Sequence, residues 1–336
     1  RDVERSRGLG DVYKRQLLSL LFLSTAVFAT VKYVFRAPEL DTDKPVVTPD
    51  GTASADADRT GTDEPDAPGR TRREYCYNIL VSGLDDDNGG SDTNILVRFD
   101  VPNKRIDLVS LPRDTLLHNE YRNNKLNFAY AKGGTELLME QIENLLGIPV
   151  DFYVTVNLKG FIALVDQIDG VDFDIPINMD YDDPYQDLHI HFTKGPRHLN
   201  GQEAMEVVRF RHNNDGTGYG TEDIGRIGTQ QAFLKAVAKQ LLQIGNVKNI
   251  PALVDIFYTY VKTDLTTGNL VWLGNEALNI GTENIHFATL PGDGSGYYNK
   301  QSVYVLDAQA TCDLVNEALN PYNEALTLED MDILVP

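Results

Sequence analysis

"YNILVSGLDDDNGGSDTNILVRFDVPNKRIDLVSLP" occupies Tyr77–Pro112. Tyr77–Leu84 is a short apolar run that stops beside a glycine and reads as a buried strand. Thr93–Val101 alternates, with Ile95, Val97 and Phe99 on one face and Arg98 and Asp100 on the other. Arg105–Pro112 is a third strand. The turn Pro102–Lys104 is so short that the second and third strands must pair antiparallel.

The same alternation of elements continues downstream. Gly133–Pro149 is expected to be a helix, with Leu138, Ile142 and Leu145 on one face and Gly147 and Pro149 ending it. Asp151–Leu158 is a strand, Leu158–Gly170 a helix, Val171–Ile177 a strand and Gly228–Gly245 a long amphipathic helix. Residues 249–261 and 265–281 read as mostly helical. Asn284–Gly292 is a late strand, and residues 304–321 form a closing helix. Mingled helices and strands predict an α/β (mixed α+β) fold: a central mixed β-sheet with helices on both faces.

Upstream the composition changes. Residues 1–16 lack an initiator Met and any apolar period, and are expected to be a non-native or cytoplasmic segment. Leu17–Phe35 is apolar except for Lys32 and small hydroxyls, with Lys14 and Arg15 before it. At about 1.5 Å per residue such a run nearly spans a bilayer core. Its basic N-terminal flank predicts a single-pass anchor in the plasma membrane with the rest of the chain outside. A cleaved signal peptide is the alternative, since Val27-Phe28-Ala29 resembles a cleavage site. Residues 36–73 are acidic and rich in Pro, Thr, Ala and Gly, and are expected to be a flexible linker. The folded domain is therefore placed at 74–336, outside the cell.

The net charge of −20 excludes a nucleic-acid binder, which needs a basic face. The two cysteines, Cys76 and Cys312, are too few for a disulfide framework or a zinc-finger site. Whether they pair is open on sequence grounds.

Four stretches carry candidate chemistry. Asp85 follows the first strand and Asp92 precedes the second, so the two carboxylates can converge. A pair of this kind suits Mg²⁺, with Mn²⁺ as a substitute. Taken alone, Asp-Asn-Gly-Gly is ordinary turn chemistry, and the polar turn is the stronger reading. Asp86 and Asp87 are expected to be solvated, and Asp100 to lie on the hairpin's outer face. Arg113 in "SLPRDT" follows a strand and a proline and in isolation reads as a surface arginine or a salt bridge to Asp114; Lys125 in "NKLNFAY" stands just before an apolar segment and in isolation reads as a solvated lysine.

The fourth stretch, Val207–Gln231, is stronger. It starts with strand-like alternation that would put Arg209 and Arg211 on one face. Arg226 and Gln230 are four apart and share a helix face. Guanidinium groups match phosphate oxygens in bidentate fashion. Three arginines in an acidic chain read as a pyrophosphate clamp, or else as an ion-pair network with Asp215, Glu222 and Asp223.

With these residues in place the chain resembles the LytR-CpsA-Psr family of Gram-positive envelope proteins. The resemblance rests on "NILVSGLD", "SDT", "SLPRDT", "KLNFAYAKGG", "IDGVDFDIP", "LNGQEAMEVVRFRH", "DIGR" with the following Gln pair, and "LPGDGSGYYN", in order from Tyr77 to about Pro321. It implies a phosphotransferase that moves a glycopolymer from an undecaprenyl-pyrophosphate carrier to a peptidoglycan hydroxyl through a phosphodiester. It implies Mg²⁺ on Asp85 and Asp92. It implies a pyrophosphate grip by Arg113, Arg209, Arg211, Arg226 and Gln230 with Lys125 nearby, and an apolar tunnel for the lipid. Asp92, Arg113, Arg209 and Arg211 are the expected catalytic set. Two positions depart from the family pattern, where arginine is usual: Gly90 before Ser-Asp-Thr and Thr229 before the Gln pair. They leave two alternatives open, a pyrophosphatase using water and a non-catalytic lipid-carrier-binding protein.

Overall fold

The computed structural model describes residues 35–40, 70–84, 90–119, 121–185, 188–219, 222–243 and 256–336. The expected anchor (apart from Phe35), the first sixteen residues, most of the linker, Asp85, Asp86 and Asp87 lie outside the described residues. Among the described residues no helix is long and apolar enough to cross a membrane. The described residues divide into two compact units, one drawn from Arg1–Glu39 with Thr266–Asn275 and one drawn from Leu40–Leu265 with Glu276–Pro336. In the first, the Asn269 side-chain amide donates to the Arg36 carbonyl at 3.0 Å.

The second unit is built on a six-stranded mixed sheet. Its strands are β1 (Cys76–Leu84), β2 (Ser91–Asp100), β3 (Arg105–Leu111), β4 (Phe152–Asn157), β9 (Val261–Thr263) and β10 (Ile285–Thr289), in the order β10-β3-β2-β1-β4-β9. The β2–β3 pair is antiparallel, as the short turn at Pro102–Lys104 requires, and β1 pairs antiparallel with β2 on its other side. β4 joins β1 in parallel and β10 joins β3 in parallel, while β9 closes the other edge antiparallel. Three two-stranded ribbons accompany the sheet: β5 (Val171–Ile175) with β8 (Gly195–Leu199), β6 (Met179–Asp183) with β7 (Leu188–Phe192), and β11 (Gly292–Tyr298) with β12 (Gln301–Leu306).

The register assigns each face its partner. Leu80, Leu96 and Val109 stand opposite one another and so share a face. On that face they join the buried cluster of Leu138, Ile142 and Leu145 from helix α1 (Leu126–Leu146) and Val315 and Leu319 in and beyond helix α6 (Ala308–Ala318). The other face, carrying Val81, Gly83 and Ile95, looks toward helices α2 (Leu158–Gln167), α3 (Gly201–Arg209) and α4 (Glu222–Gln243). Their second cluster centres on Phe233, 5.7 Å from Phe161 and 5.4 Å from Phe173 between ring centroids. The predicted central sheet with flanking helices is thus the observed architecture. Helix α5 (Thr267–Ile280) lies where the sequence placed a helix.

Several local expectations change. α1 starts at Leu126, not Gly133, and contains a break at Gly133 and Gly134, whose φ is +69°. The two glycines separate helical segments instead of starting one, because only glycine adopts that conformation without strain. α1 ends as expected at Gly147, φ 65°, where an added Cβ would fall 2.2 Å from the Asp330 carbonyl oxygen. α4 begins six residues earlier than its apolar period suggested. Asp100 is not on an outer face: it is 1% exposed and ion-paired with Arg73 at 2.7 Å. Arg98 beside it is 4% exposed and pairs with Asp107 at 2.7 Å. A sheet covered on both faces buries its polar stripe too, so those charges need partners. Cys76 and Cys312 are both free, buried thiols.

Candidate functional site

A cavity of about 510 Å³ lies between the second face of the sheet and the helices. Its inner wall is apolar: Val81, Ile95, Val156, Leu158, Phe161, Leu164, Val208, Phe233 and Leu234. Asp92, Arg113, Arg209, Arg211, Arg226 and Gln230 line the same cavity. Residues spread over more than a hundred positions of sequence are thereby gathered around one volume.

Each charged residue is delivered by an element end. Asp92 is the second residue of β2, just beyond the register shift between Gly83 and Leu84, and is 43% exposed. Arg113 follows β3, and its Nη1 lies 2.6 Å from Asp92 Oδ1. Lys125 Nζ lies 3.2 Å from Asp114 Oδ1, and Asp114 stands 4.0 Å from Arg113 Nε. Lys125 is therefore coupled to the arginine through an acidic neighbour.

Arg209 and Arg211 do not sit on a strand. Val207–Arg209 is the last turn of α3, and the chain leaves it through Phe210, φ −58° and ψ 134°. The overlooked signal was Asn200 with Glu203, which form a reciprocal capping box and launch that helix. Phe210 is 1% exposed and anchors the exit, so the arginines on either side both line the cavity. Gln230 donates to the Val208 carbonyl at 3.1 Å. Carbonyls in a helix's last turn have no intrahelical partner, so Gln230 holds in place the turn that carries Arg209. Gln231 donates from its amide to the Ala288 carbonyl at 2.7 Å and contacts Thr289 Oγ1 at 2.8 Å, tying α4 to β10. Arg226 is 9% exposed, on the same helix. The Asp223 side chain, like Asp85, lies outside the described residues.

The two departures from the family pattern have different structural settings. Thr229 is buried, its hydroxyl 2.8 Å from the Tyr219 hydroxyl and 3.1 Å from the Gly225 carbonyl. Burial pushes the Tyr219 phenol up, with the Thr229 hydrogen bond opposing it, so the pair is a neutral clasp. At Gly90 an added Cβ would meet only the Asn127 carbonyl oxygen at 3.9 Å, so nothing there requires glycine. Sequence reasoning missed Tyr181, Leu188 and His212, which also line the cavity. For Tyr181 and Leu188 the signal is the alternation of "MDYDD" and "LHIHF", the β6–β7 hairpin, while His212 directly follows Arg211.

The sequence profile of the LytR_cpsA_psr family matches residues 46–320. The chain belongs to the LytR-CpsA-Psr family. Among LytR-CpsA-Psr relatives, it is 32% identical over 248 residues to the polyisoprenyl-teichoic acid–peptidoglycan teichoic acid transferase TagV of Bacillus subtilis, an alignment covering 70% of this chain and 61% of that protein. It is 31% identical over 267 residues to the transferase TagU of Bacillus cereus, covering 78% of this chain and 83% of that one. The crystal structure of B. subtilis TagV superposes with a TM-score of 0.62 at 27% identity, covering 78% of this chain and all of that one. The chain thus spans about three fifths of the full length of the B. subtilis relative it matches.

Proposed function

We propose that this protein is an envelope phosphotransferase. It takes a glycopolymer from a polyprenyl-pyrophosphate carrier and joins it to a peptidoglycan hydroxyl by a phosphodiester. The observation that carries this is the cavity itself: one volume has an apolar wall for a lipid chain and a lining with four arginines for a pyrophosphate. A free phosphate or nucleotide would need the cations but not the apolar depth. The names of the two transferase relatives support the same chemistry.

In this reading the lipid lies against Val81, Ile95, Phe161, Leu164 and Phe233, each buried methylene contributing about 0.8 kcal/mol. Arg209, Arg211 and Arg226 hold non-bridging phosphate oxygens, and Arg113 completes the grip from the β3 side. The acceptor hydroxyl oxygen forms a bond to the phosphorus nearest the sugar. The bond from that phosphorus to the bridging oxygen breaks, polyprenyl phosphate leaves, and the hydroxyl proton passes to solvent or a neighbouring base. Such a reaction needs positioning and charge neutralisation above all. A divalent cation fits the donor chemistry on the described side: Asp92 offers a half-exposed carboxylate at the cavity rim, and Asp85 would be its second holder. When bound, Mg²⁺ would neutralise charge on the pyrophosphate. The apolar run at Leu17–Phe35 would anchor the chain in the plasma membrane with this domain outside, near the lipid carrier.

The test is transfer of a pyrophosphate-linked glycopolymer to peptidoglycan by wild type and Arg211→Ala. Loss of one charge-assisted hydrogen bond costs about 1.5–3 kcal/mol, or roughly ten- to 150-fold in rate. Wild-type turnover by the variant would remove the clamp; release of free polymer with acceptor present would make the enzyme a pyrophosphatase.

A further inference from the structure

The β6–β7 hairpin turns its two faces to different tasks. Met179 with Leu188, Ile190 and Phe192 point inward and are buried, and Tyr181 and Leu188 line the cavity. The outer face is occupied by Asp180, Asp182, His189 and His191. Asp180 pairs across the ribbon with His191 and Asp182 with His189. Two of the chain's six histidines are thus placed two residues apart on one exposed strand face, each opposite a carboxylate.

The donor atoms of Asp182, His189 and His191 all lie within 4.8 Å of one another. Asp182 Oδ1 is 2.5 Å from His189 Nδ1 and 3.4 Å from His191 Nε2. Tetrahedral zinc, with bonds of about 2.0–2.1 Å, puts neighbouring donors roughly 3.3 Å apart. The second spacing already matches, and the first needs only a small outward rotation of exposed side chains.

A separate observation points the same way. The other nitrogen of His191, Nδ1, lies 2.8 Å from Asp180 Oδ1. A metal-ligating histidine almost always donates its remaining N–H to a carboxylate or carbonyl, which fixes the tautomer and strengthens the ligating nitrogen. With Nδ1–H donated to Asp180, the His191 Nε2 lone pair is directed toward Asp182. The backbone beneath is also braced. Asn213 accepts from the Asp180 amide at 2.7 Å, and Asn214 accepts from the Asp182 amide at 2.6 Å. These asparagines follow Arg211 and His212 directly.

We propose that Asp182, His189 and His191 bind a transition-metal ion of the zinc class on the outer face of this hairpin, with Asp180 positioning His191. Two imidazoles and one carboxylate suit Zn²⁺, Cu²⁺ or Ni²⁺ and disfavour the hard cations Mg²⁺ and Ca²⁺, which take oxygen donors. Three protein ligands on an exposed face leave a coordination position for water. The ion would clip β6 to β7 and so stiffen the ribbon whose inner side walls the cavity and whose edge holds the arginine-bearing loop. This site is independent of the transferase reading and of Asp85 and Asp92.

The test is titration of the full-length chain with Zn²⁺ alone, against a chromophoric chelator, for wild type, His189→Ala/His191→Ala, Asp180→Asn and Asp92→Asn. One zinc should bind to wild type and to Asp92→Asn. The double variant should lose at least about tenfold in affinity, and Asp180→Asn roughly ten- to 100-fold. Equal zinc binding by the double variant, or loss confined to Asp92→Asn, overturns the site. X-ray absorption of the zinc-loaded wild type gives a readout that does not depend on any variant folding. Two imidazole shells support the assignment, and an oxygen-only shell refutes it.

Discussion

Asp92→Asn separates a catalytic role from a structural one. In the structure Asp92 makes an ion pair with Arg113 at 2.6 Å, with side chains 43% and 27% exposed. An exposed pair of this kind contributes about 0.2–1 kcal/mol. For a domain of this size 1 kcal/mol shifts Tm by about 2–4 °C, so the variant should melt within about 4 °C of wild type. The effect on transfer is worked differently. If Asp92 sits where charge develops during phosphoryl transfer, its loss resembles removal of a preorganised electrostatic group, about 2.7–4 kcal/mol or roughly 10²–10³ in rate. The assay pairs thermal melting with single-turnover transfer from a pyrophosphate-linked glycopolymer to peptidoglycan. A normal Tm with a hundredfold rate loss is expected. A rate within twofold of wild type would refute the argument and leave Asp92 as a tether for Arg113. A faster variant would mean that the tether holds Arg113 back from the phosphate.

Phe233→Ala should destabilise the domain by about 3–5 kcal/mol, read by denaturant unfolding, because the ring is fully buried between Phe161 and Phe173. His198 is held above its ordinary value chiefly by its hydrogen bond to Asp172, across the β5–β8 ribbon. A histidine raised on folding contributes stability that is full below about pH 6.5 and fades as pH rises through its folded value. Asp172→Asn should therefore flatten the dependence of Tm on pH and move the His198 NMR titration down toward the ordinary histidine range. Burial, and secondarily Asp100, pushes the Cys76 thiol up to about 11, so thiolate reagents at neutral pH should label it only on unfolding. Rapid labelling of the native protein at Cys76 would contradict that burial.

Much of this protein was set by short-range pattern. The apolar run of β1, the period of two in β2 and the turn at Pro102–Lys104 determined three strands and the antiparallel β2–β3 pair. The apolar spacing in α1, α2 and α4 and the stop at Gly147 determined the helices that cover it. Those signals are local, because side-chain alternation and capping act within a few residues. The same locality misled at Val207–Arg211. Alternating residues looked like a strand, while the capping box at Asn200 and Glu203 had already committed the segment to a helix. The β6–β7 ribbon alternates cleanly but carries charge on its outer face, and β11 is polar nearly throughout, so neither ribbon reads as a core strand. Asp100 was expected outside and is buried, since only the second layer of helices decides whether a strand's polar face meets water.

The candidate site divides in the same way. Residue types alone indicated phosphate chemistry: arginines at strand and helix ends beside carboxylates. They left open whether each cation was solvated, ion-paired or functional. Convergence of Asp92, Arg113, Arg209, Arg211 and Arg226 on one apolar-walled cavity is a property of chain topology, which brings the ends of β2, β3, α3 and α4 together. A charge's partner is fixed by distance in space, and no pattern along the chain carries that distance.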